Sequence, residues 1–308
     1  MSDDQRAHAF ARGDGLLRGR GLDDPLALPS ADSPVLRQFC DHFDIRENLH
    51  EGAGGLAAGA PPRVETLCEV ARSFSSIPYE NLSKILRFAR TGVAERSRRG
   101  PGEVVEDHVT SGAGGTCFSL TAALLHILRA LGWRAEPILA DRHYGADTHC
   151  ALLVWINESP HLVDPGYLIV RPIPISMGGE QRISTSFNDV LLVPGGQGEK
   201  LTLFTENKGQ RSERLTFKLN PVDSGEFLRA WDASFGWDMM SYPVLTRVAA
   251  GEQIYLQQRR LQVRNREEVR RGEVKAQDLP KDIAELFGLD PGLTRSALEI
   301  LRGRGSGV

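Results

Sequence analysis

One cysteine combines the features expected of a nucleophile. Cys117 follows a glycine turn and begins an apolar segment that ends at Gly132. Leucine and isoleucine recur in this segment at helical spacing, which predicts a helix over about 117–131 packed on one side. The N-terminus of a helix stabilises an anion, so a thiol there ionises more easily than free cysteine. We therefore predict that Cys117 is a reactive thiolate.

A cysteine nucleophile needs a base and a group that orients the base. His149 begins an apolar run to residue 156 that is typical of a buried strand, and Asp164 closes the next run, 161–164. A hairpin through the turn signal at 157–160 would bring His149 beside Asp164. With the helix of Cys117 packed on that sheet, thiol, imidazole and carboxylate would follow the order used in acyl transfer.

Other assignments of these residue types remain open. His143 and His161 are alternatives to His149, and Asp164 before Pro-Gly is alternatively an ordinary turn aspartate. The remaining cysteines lie within apolar patterns and are expected to be small buried residues; they are Cys40, Cys68 and Cys150. The histidines are scattered without metal-ligand spacing, so no metal site is predicted.

Four motifs resemble, in order, those of the arylamine N-acetyltransferase family, a branch of the transglutaminase-like cysteine enzymes. They are Ile77-Pro78-Tyr79-Glu80-Asn81-Leu82, Gly114-Gly115-Thr116-Cys117-Phe118, Thr148-His149 and Leu162-Val163-Asp164-Pro165-Gly166-Tyr167. Weaker similarity extends the resemblance over roughly residues 34 to 290. It implies a transglutaminase-like α+β fold and a catalytic triad of Cys117, His149 and Asp164.

The resemblance also implies a co-substrate and an acceptor. Acetyl-coenzyme A or another acyl-coenzyme A would donate the acyl group, and Gly166, Tyr167 and Ser241 are expected to contact it. A small-molecule amine would accept the group, with Phe118 and Tyr167 as walls for an aromatic acceptor. The predicted function is therefore acyl transfer, with acetyl as the expected group, through an acyl-cysteine intermediate.

The chain departs from the family pattern at several positions, two of which bear on the choice of function. Ala113 stands where the family usually has an arginine before Gly-Gly-x-Cys, so an expected buried cation is missing. Leu168 stands where a second glycine normally lets the backbone approach the coenzyme phosphates. Both departures favour an alternative function, a transglutaminase-like amidase, peptidase or amide synthase in small-molecule biosynthesis. A catalytically inactive binding scaffold is the second alternative.

Composition excludes several other classes of protein. The 308 residues are 41% hydrophobic, and 37 basic against 40 acidic residues give a net charge of −3, without bias toward nucleic acid or membranes. Basic groups at 96–99 and 259–271 are expected to be solvated faces, or alternatively a rim that attracts coenzyme phosphates. Four scattered cysteines and an N-terminus without a signal-peptide pattern indicate a cytoplasmic protein.

The order of elements predicts an α+β protein in four parts. These are a loose extension (1–33), a helical domain with the nucleophile (34–132), a β-rich domain with His149 and Asp164 (133–222) and a C-terminal α/β lid (223–308). Predicted helices cover 34–43, 65–76, 80–90, 117–131, 223–234, 280–287 and 292–302, with a linker at 52–62. Predicted strands cover 134–140, 150–156, 161–164, 169–175, 188–193, 201–205, 214–219, 243–248 and 253–264. The nucleophile helix is expected to pack on a central antiparallel sheet or barrel.

Overall fold

The computed structural model describes residues 24–30, 32–45, 63–207 and 209–308. Its helices are α1 Pro34–Phe43, α2 Val64–Phe74, α3 Leu82–Thr91, α4 Ala94–Ser97, α5 Pro101–Ser111, α6 Cys117–Ala130, α7 Ser224–Ala233, α8 Leu279–Phe287 and α9 Pro291–Gly303. Its strands are β1 Tyr79–Glu80, β2 Ala135–Arg142, β3 Gly145–Ile156, β4 Ser159–Asp164, β5 Ile169–Pro174, β6 Gln181–Ser184, β7 Asp189–Gly195, β8 Lys200–Asn207, β9 Gln210–Lys218, β10 Val244–Ala249, β11 Glu252–Gln257, β12 Arg260–Arg264 and β13 Val269–Glu273. The predicted linker and most of the predicted extension lie outside the described residues.

Two antiparallel sheets organise the strands. The larger has the order β5-β4-β3-β2-β9-β8-β7-β6, and the smaller has the order β1-β10-β11-β12-β13. Ile173 of β5 and Ile183 of β6 belong to one apolar cluster although they come from opposite ends of the larger sheet, so this sheet curls around that cluster. The predicted α+β class, with a central antiparallel sheet or barrel, is confirmed.

Helix α6 is covered on nearly every side. All its residues are buried except His126 and Arg129, which are half-buried. A helix that is apolar all round lies inside a core. The prediction of a helix packed on one side was wrong here, because α1, α2 and α5 cover the face that is turned away from the sheet. The predicted stop is confirmed, since Gly132 has a φ of 85°.

Strand β3 separates two apolar cores. Cys150, Leu152 and Val154 face the core that contains α6, whereas Ala151 and Leu153 face the cluster inside the curled sheet. Alternate residues of a strand point to opposite faces, so a strand buried on both faces reads as one continuous apolar run. This explains why the run that begins at His149 has no polar alternation.

The loop before α6 lies against the loop before α3. Gly115 N donates to Pro78 O, and Glu80 N donates to Gly115 O at 3.0 Å. Strand β1 in turn pairs with β10, while α9 packs against α3. The motif at residues 77–82 and the helix α3 that follows it therefore contact both the loop before α6 and the C-terminal elements β10 and α9.

Several elements were not predicted from the sequence. Helices α4 and α5 and strands β6 and β13 are short or polar segments without a clear period. The stretch 253–264, expected to be hairpin-like, is a hairpin that turns at Gln258 with a φ of 57°. Within the described ranges, no helix has the length and apolarity needed to cross a bilayer.

Replacing Gly114 with alanine should destabilise the protein. A β-carbon at Gly114 would lie 1.7 Å from Pro78 O, a backbone atom, so the two loops would have to separate. We expect a loss of roughly 1–3 kcal/mol in the free energy of unfolding, measured by urea denaturation. Gly303→Ala, where a β-carbon meets nothing within 4 Å, is the control. A Gly114→Ala variant as stable as this control would contradict the tight packing.

Candidate active site

The three residues of the predicted triad lie on three adjoining elements. Cys117 is the first residue of α6, His149 lies in β3, and Asp164 ends β4. The predicted hairpin is formed, and it turns at Asn157 and Glu158, both with positive φ. His149 Nε2 lies 2.7 Å from Asp164 Oδ2, and both side chains are fully buried.

Gly166 leaves the space in which the thiol and imidazole meet. A β-carbon at this position would lie 3.0 Å from Cys117 Cβ and 3.0 Å from His149 Cε1. One small residue therefore borders both side chains, which places Cys117 and His149 next to each other. A β-carbon at this point would press on both side chains, so glycine lets them approach each other closely.

Asp164 fixes the orientation of His149. Its Oδ2 accepts from Nε2 of the imidazole, and its Oδ1 accepts from Tyr167 N at 2.9 Å. A carboxylate that faces Nε2 assigns the proton of neutral His149 to that nitrogen. Nδ1 is then the nitrogen available to take a proton from Cys117.

The environment favours a thiolate and an imidazolium. The proximity of Cys150 is the largest influence on the Cys117 thiol; burial opposes it, and His149 and Arg142 add to it, so the pKa of Cys117 lies well below its usual range. Burial lowers the pKa of His149, but the charge and hydrogen bond of Asp164 and a hydrogen bond with Cys117 raise it overall to about 8. Both shifts favour the ionised pair over the neutral one.

Cys150 has a role that its apolar context hid. It is fully buried, as predicted, and its thiol donates to Thr121 Oγ1 at 3.4 Å, yet its proximity to Cys117 is the largest influence that lowers the pKa of that thiol. Burial is the largest influence on Cys150 and raises its pKa, so it stays protonated. Only the alternation of β3, which turns residue 150 toward α6, could have indicated this contact.

Arg142 is a second residue that the sequence did not single out. Its Nη2 lies 3.1 Å from His149 Nδ1, and its Nη1 donates to Tyr144 Oη at 2.9 Å. The side chain is half-buried at the end of β2. The imidazole is thus contacted by a carboxylate at one ring nitrogen and by a guanidinium at the other.

A cavity of about 920 Å³ opens beside the triad. Gly166 and Tyr167, predicted coenzyme contacts, line it together with Tyr79, Arg142 and Leu168. Strands β11, β12 and β13 form part of its wall, so the C-terminal sheet borders the cavity from one side.

Two other predicted contacts lie elsewhere. Ser241 lines a separate cavity of about 460 Å³ beside the C-terminal residues, and its hydroxyl donates to Asp238 O. Phe118 is fully buried and stacks on Trp231, with ring centroids 6.2 Å apart. It does not line the cavity, because the second position of α6 points into the aromatic core. We correct its role from a substrate wall to a packing residue.

A buried cation lies beneath the nucleophile loop, although Ala113 cannot supply it. Arg99 is 3% exposed and donates to Gly114 O at 2.7 Å and to Asp107 Oδ2 at 2.9 Å. It also lies 3.9 Å from Glu80, whose carboxylate accepts from Ser83 N at the start of α3. The cation that the family motif led us to expect therefore comes from a different segment.

The predicted solvation of residues 96–99 was wrong for two arginines. Arg99 is enclosed as described above, and Arg98 is buried and pairs with Asp232 of α7. Two arginines next to each other in a polar stretch look like surface residues, and only the folded chain reveals their carboxylate partners.

Among the described residues, no group of three or more potential ligands could hold a metal ion.

Replacing Arg99 with methionine should destabilise the fold. The change removes the cation that compensates Asp107 and Glu80, and breaking a buried ion pair from one side costs about 3–5 kcal/mol. Arg182→Met is the control, because Arg182 pairs with Asp189 and Glu206 at the surface, where such pairs contribute roughly 0–1 kcal/mol. Equal losses in thermal or urea unfolding of the two variants would refute a special role for Arg99.

Replacing Asp164 with asparagine should make Cys117 less reactive at low pH. The amide removes the charge that raises the pKa of His149, so the thiolate loses its partner and the Cys117 pKa rises. We expect the pH profile of iodoacetamide alkylation at Cys117 to move up by about one pH unit or more. Glu285→Gln, at an exposed carboxylate of α8, should leave the profile in place. An unchanged profile in Asp164→Asn would show that this carboxylate does not tune the pair.

Comparison with known proteins identifies relatives of this arrangement. A family model described as N-acetyltransferase matches residues 63–294. A comparison with curated protein sequences returns no match to this chain. The family match spans all four motifs, from the Pro-Tyr-Glu-Asn-Leu element to beyond the lid strands.

Solved structures share the fold over nearly their whole length. An arylamine N-acetyltransferase from Mycobacterium marinum superposes with a TM-score of 0.71 at 18% identity, covering 89% of this chain and 99% of that chain. The same organism's enzyme in complex with CoA gives a TM-score of 0.67 at 17% identity, covering 86% and 99%. An arylamine N-acetyltransferase from Bacillus cereus, described as having a unique Cys-His-Glu catalytic triad, gives 0.64 at 15% identity, covering 84% and 99%. With the family model matching most of its length, this chain belongs to the arylamine N-acetyltransferase family.

Proposed function

We propose that this protein transfers an acetyl group, or a closely related acyl group, from coenzyme A to an amine through an acyl-Cys117 intermediate. The observation that carries the proposal is the buried contact of His149 with Asp164 beside a thiol at the start of α6. These groups are the machinery of cysteine acyl transfer, and they lie next to Gly166 and Arg142, which line a cavity of about 920 Å³.

The first half-reaction loads the enzyme. The Cys117 thiolate attacks the thioester carbonyl, and a new carbon–sulfur bond forms while the carbonyl electrons move onto oxygen. The backbone N–H of Cys117 at the helix start is suited to stabilise this oxyanion, a contribution of about 3–4 kcal/mol per donor in comparable enzymes. The tetrahedral intermediate collapses, the coenzyme sulfur departs, and His149 gives it a proton.

The second half-reaction unloads the enzyme onto the amine. Neutral His149 accepts the proton of the amine as its nitrogen attacks the acyl-Cys117 carbonyl. Collapse of this second intermediate releases the amide and returns the Cys117 thiolate beside the imidazolium. Asp164 holds Nε2 through both steps, so Nδ1 alone exchanges protons with the reacting groups.

The backbone after Asp164 supports coenzyme A as the source of the acyl group. Leu168 has a φ of 63°, the left-handed conformation that glycine adopts most easily. The loop therefore follows the path that a second glycine would give it, although the glycine itself is lost. The M. marinum relative was solved in complex with CoA, which agrees with a coenzyme donor.

Leu168 also favours a second candidate function. Its side chain is buried and lines the cavity at a position where the family pattern has glycine, which leaves less room beside the triad. An acyl donor that is narrower than coenzyme A would fit this reduced space better. An amide synthase, in which the substrate stays attached to its carrier until the amide is released, would use such a donor. The triad chemistry is the same for both candidates.

The intact mass of the protein after brief incubation with acetyl-, propionyl- and malonyl-coenzyme A tests the donor. We expect the wild type to gain the mass of one acyl group and Cys117→Ala to gain none. Cys68→Ala, which removes a half-buried thiol of α2, is the control and should load like the wild type. Adding an arylamine should discharge the adduct and release the corresponding amide.

Two results would redirect the assignment. If no coenzyme thioester loads Cys117 although iodoacetamide alkylates it rapidly at neutral pH, the amide synthase or amidase function replaces the acetyltransferase. If Cys117 also reacts no faster than an ordinary thiol, the protein is a binding scaffold.

A further inference from the structure

We propose that the hydroxyl of Tyr79 is a catalytic hydrogen-bond donor, which binds the oxyanion formed when Cys117 attacks an acyl carbonyl. The inference rests on the proposed function and adds to it a donor from a separate strand. The backbone N–H of Cys117 and the side chain of Tyr79 share the negative charge of the tetrahedral intermediate, and Tyr79 itself transfers no proton.

Strand β1 lies along the loop that carries the nucleophile. Tyr79 forms a parallel bridge with Gly115, two positions before Cys117, and Glu80 N donates to Gly115 O at 3.0 Å. On its other side Tyr79 pairs with Thr246 of β10. Its backbone is therefore held from both sides. A donor that is fixed before the reaction stabilises an oxyanion without a cost of reorganisation.

The side chain of Tyr79 points into the cavity beside the triad. Neighbouring residues of a strand point to opposite faces. Glu80 is fully buried, with its carboxylate 3.9 Å from Arg99 Nη1 beneath the loop, whereas Tyr79 lines the cavity on the other face. Gly166 lines the same cavity, and a β-carbon there would lie 3.0 Å from Cys117 Cβ. The ring of Tyr79 therefore borders the space from which a substrate reaches the thiol.

The hydroxyl of Tyr79 is available to a ligand. The residue is only 8% exposed, and no hydrogen bond joins its hydroxyl to any residue that the structure describes. Two other tyrosines of the cavity have partners, because Tyr144 Oη accepts from Arg142 Nη1 at 2.9 Å and Tyr255 Oη donates to Gln257 Oε1 at 3.2 Å. An enclosed polar group without a partner is costly unless a ligand completes its contacts.

The surroundings of this hydroxyl keep its proton in place. Burial raises the pKa of Tyr79 well above its usual range, the negative charge of Cys117 raises it further, and Arg142 opposes both. Attack forms a carbon–sulfur bond and moves the carbonyl electron pair onto oxygen, so the negative charge passes from sulfur to the adjoining oxygen. A protonated phenol near the thiolate is then near the oxyanion as well. Collapse returns the electron pair to the carbonyl and releases the hydrogen bond.

The variant Tyr79→Phe removes this hydroxyl and keeps the ring. Acylation of Cys117 by acetyl-coenzyme A or by 4-nitrophenyl acetate passes through an oxyanion, whereas alkylation by iodoacetamide displaces iodide at a saturated carbon and forms none. We expect acylation to be about 10- to 100-fold slower in the variant, with alkylation within about twofold of the wild-type rate. The loss should lie in the limiting rate at saturating thioester, because the donor meets the full charge only in the transition state.

The variant Tyr255→Phe is the matched control. Its hydroxyl lies in the same cavity but already donates to Gln257, so both rates should stay within about twofold of wild type. Tyr79→Phe should also unfold at the wild-type temperature, since the lost hydroxyl makes no hydrogen bond within the described part of the chain.

Each contrary outcome identifies what failed. Equal slowing of acylation and alkylation in Tyr79→Phe would show that the hydroxyl acts on the thiolate, and unchanged acylation would show that it acts on no reacting atom; either result overturns the proposal. If coenzyme thioesters do not load the wild type, the proposed donor fails, but acylation by 4-nitrophenyl acetate still decides on Tyr79. If neither reagent acylates wild-type Cys117, both proposals are wrong.

Discussion

The buried hydrogen bond between His149 and Asp164 is the interaction on which the rest of the site depends. It joins two strands of one hairpin at the point where α6 begins, with both side chains withdrawn from water. A charge in such a place is tolerated only when it is paired, and here the pairing orients the imidazole and makes it a stronger base. Together with Cys150, this pair lowers the pKa of the Cys117 thiol well below its usual range.

A second buried charge holds the nucleophile loop in place. Arg99 connects the carbonyl of Gly114 with Asp107 of α5 and approaches Glu80 before α3, so three segments converge on one guanidinium. Asn81 extends the connection, because its amide group donates to Met239 O and Tyr242 O and accepts from Val244 N. The motif near residue 80 therefore acts as a brace between the nucleophile and the lid sheet, which agrees with its expected place at a helix start.

The two charge systems serve different ends. Beneath the loop, Arg98 and Arg99 each have a carboxylate partner, whereas the buried Lys84 donates to Ser234 O at 3.0 Å. In the cavity the arginines face neutral groups, and Arg142 lies against the base itself. The same residue type thus pairs with carboxylates at one place and with neutral side chains at the other, and the difference lies in where the carboxylates fall.

The sequence by itself predicted Cys117 as the nucleophile, and it determined the hairpin that presents His149 to Asp164 and the α+β class. These follow from local signals, namely a glycine turn before an apolar helix, continuous apolar runs and turn residues, each of which acts within a few positions along the chain. The tertiary structure decided what depends on distant segments. In the folded chain, Arg99 lies where a cation is missing at Ala113, and Cys150 faces the thiol of Cys117. Phe118 is buried in the core, and Ser241 lines another cavity. Arg142 contacts the imidazole of His149. Burial and charge pairing depend on residues that are distant in the sequence but close in space. A sequence pattern predicts the helix or strand to which a residue belongs, but not the side chains that other elements place beside it.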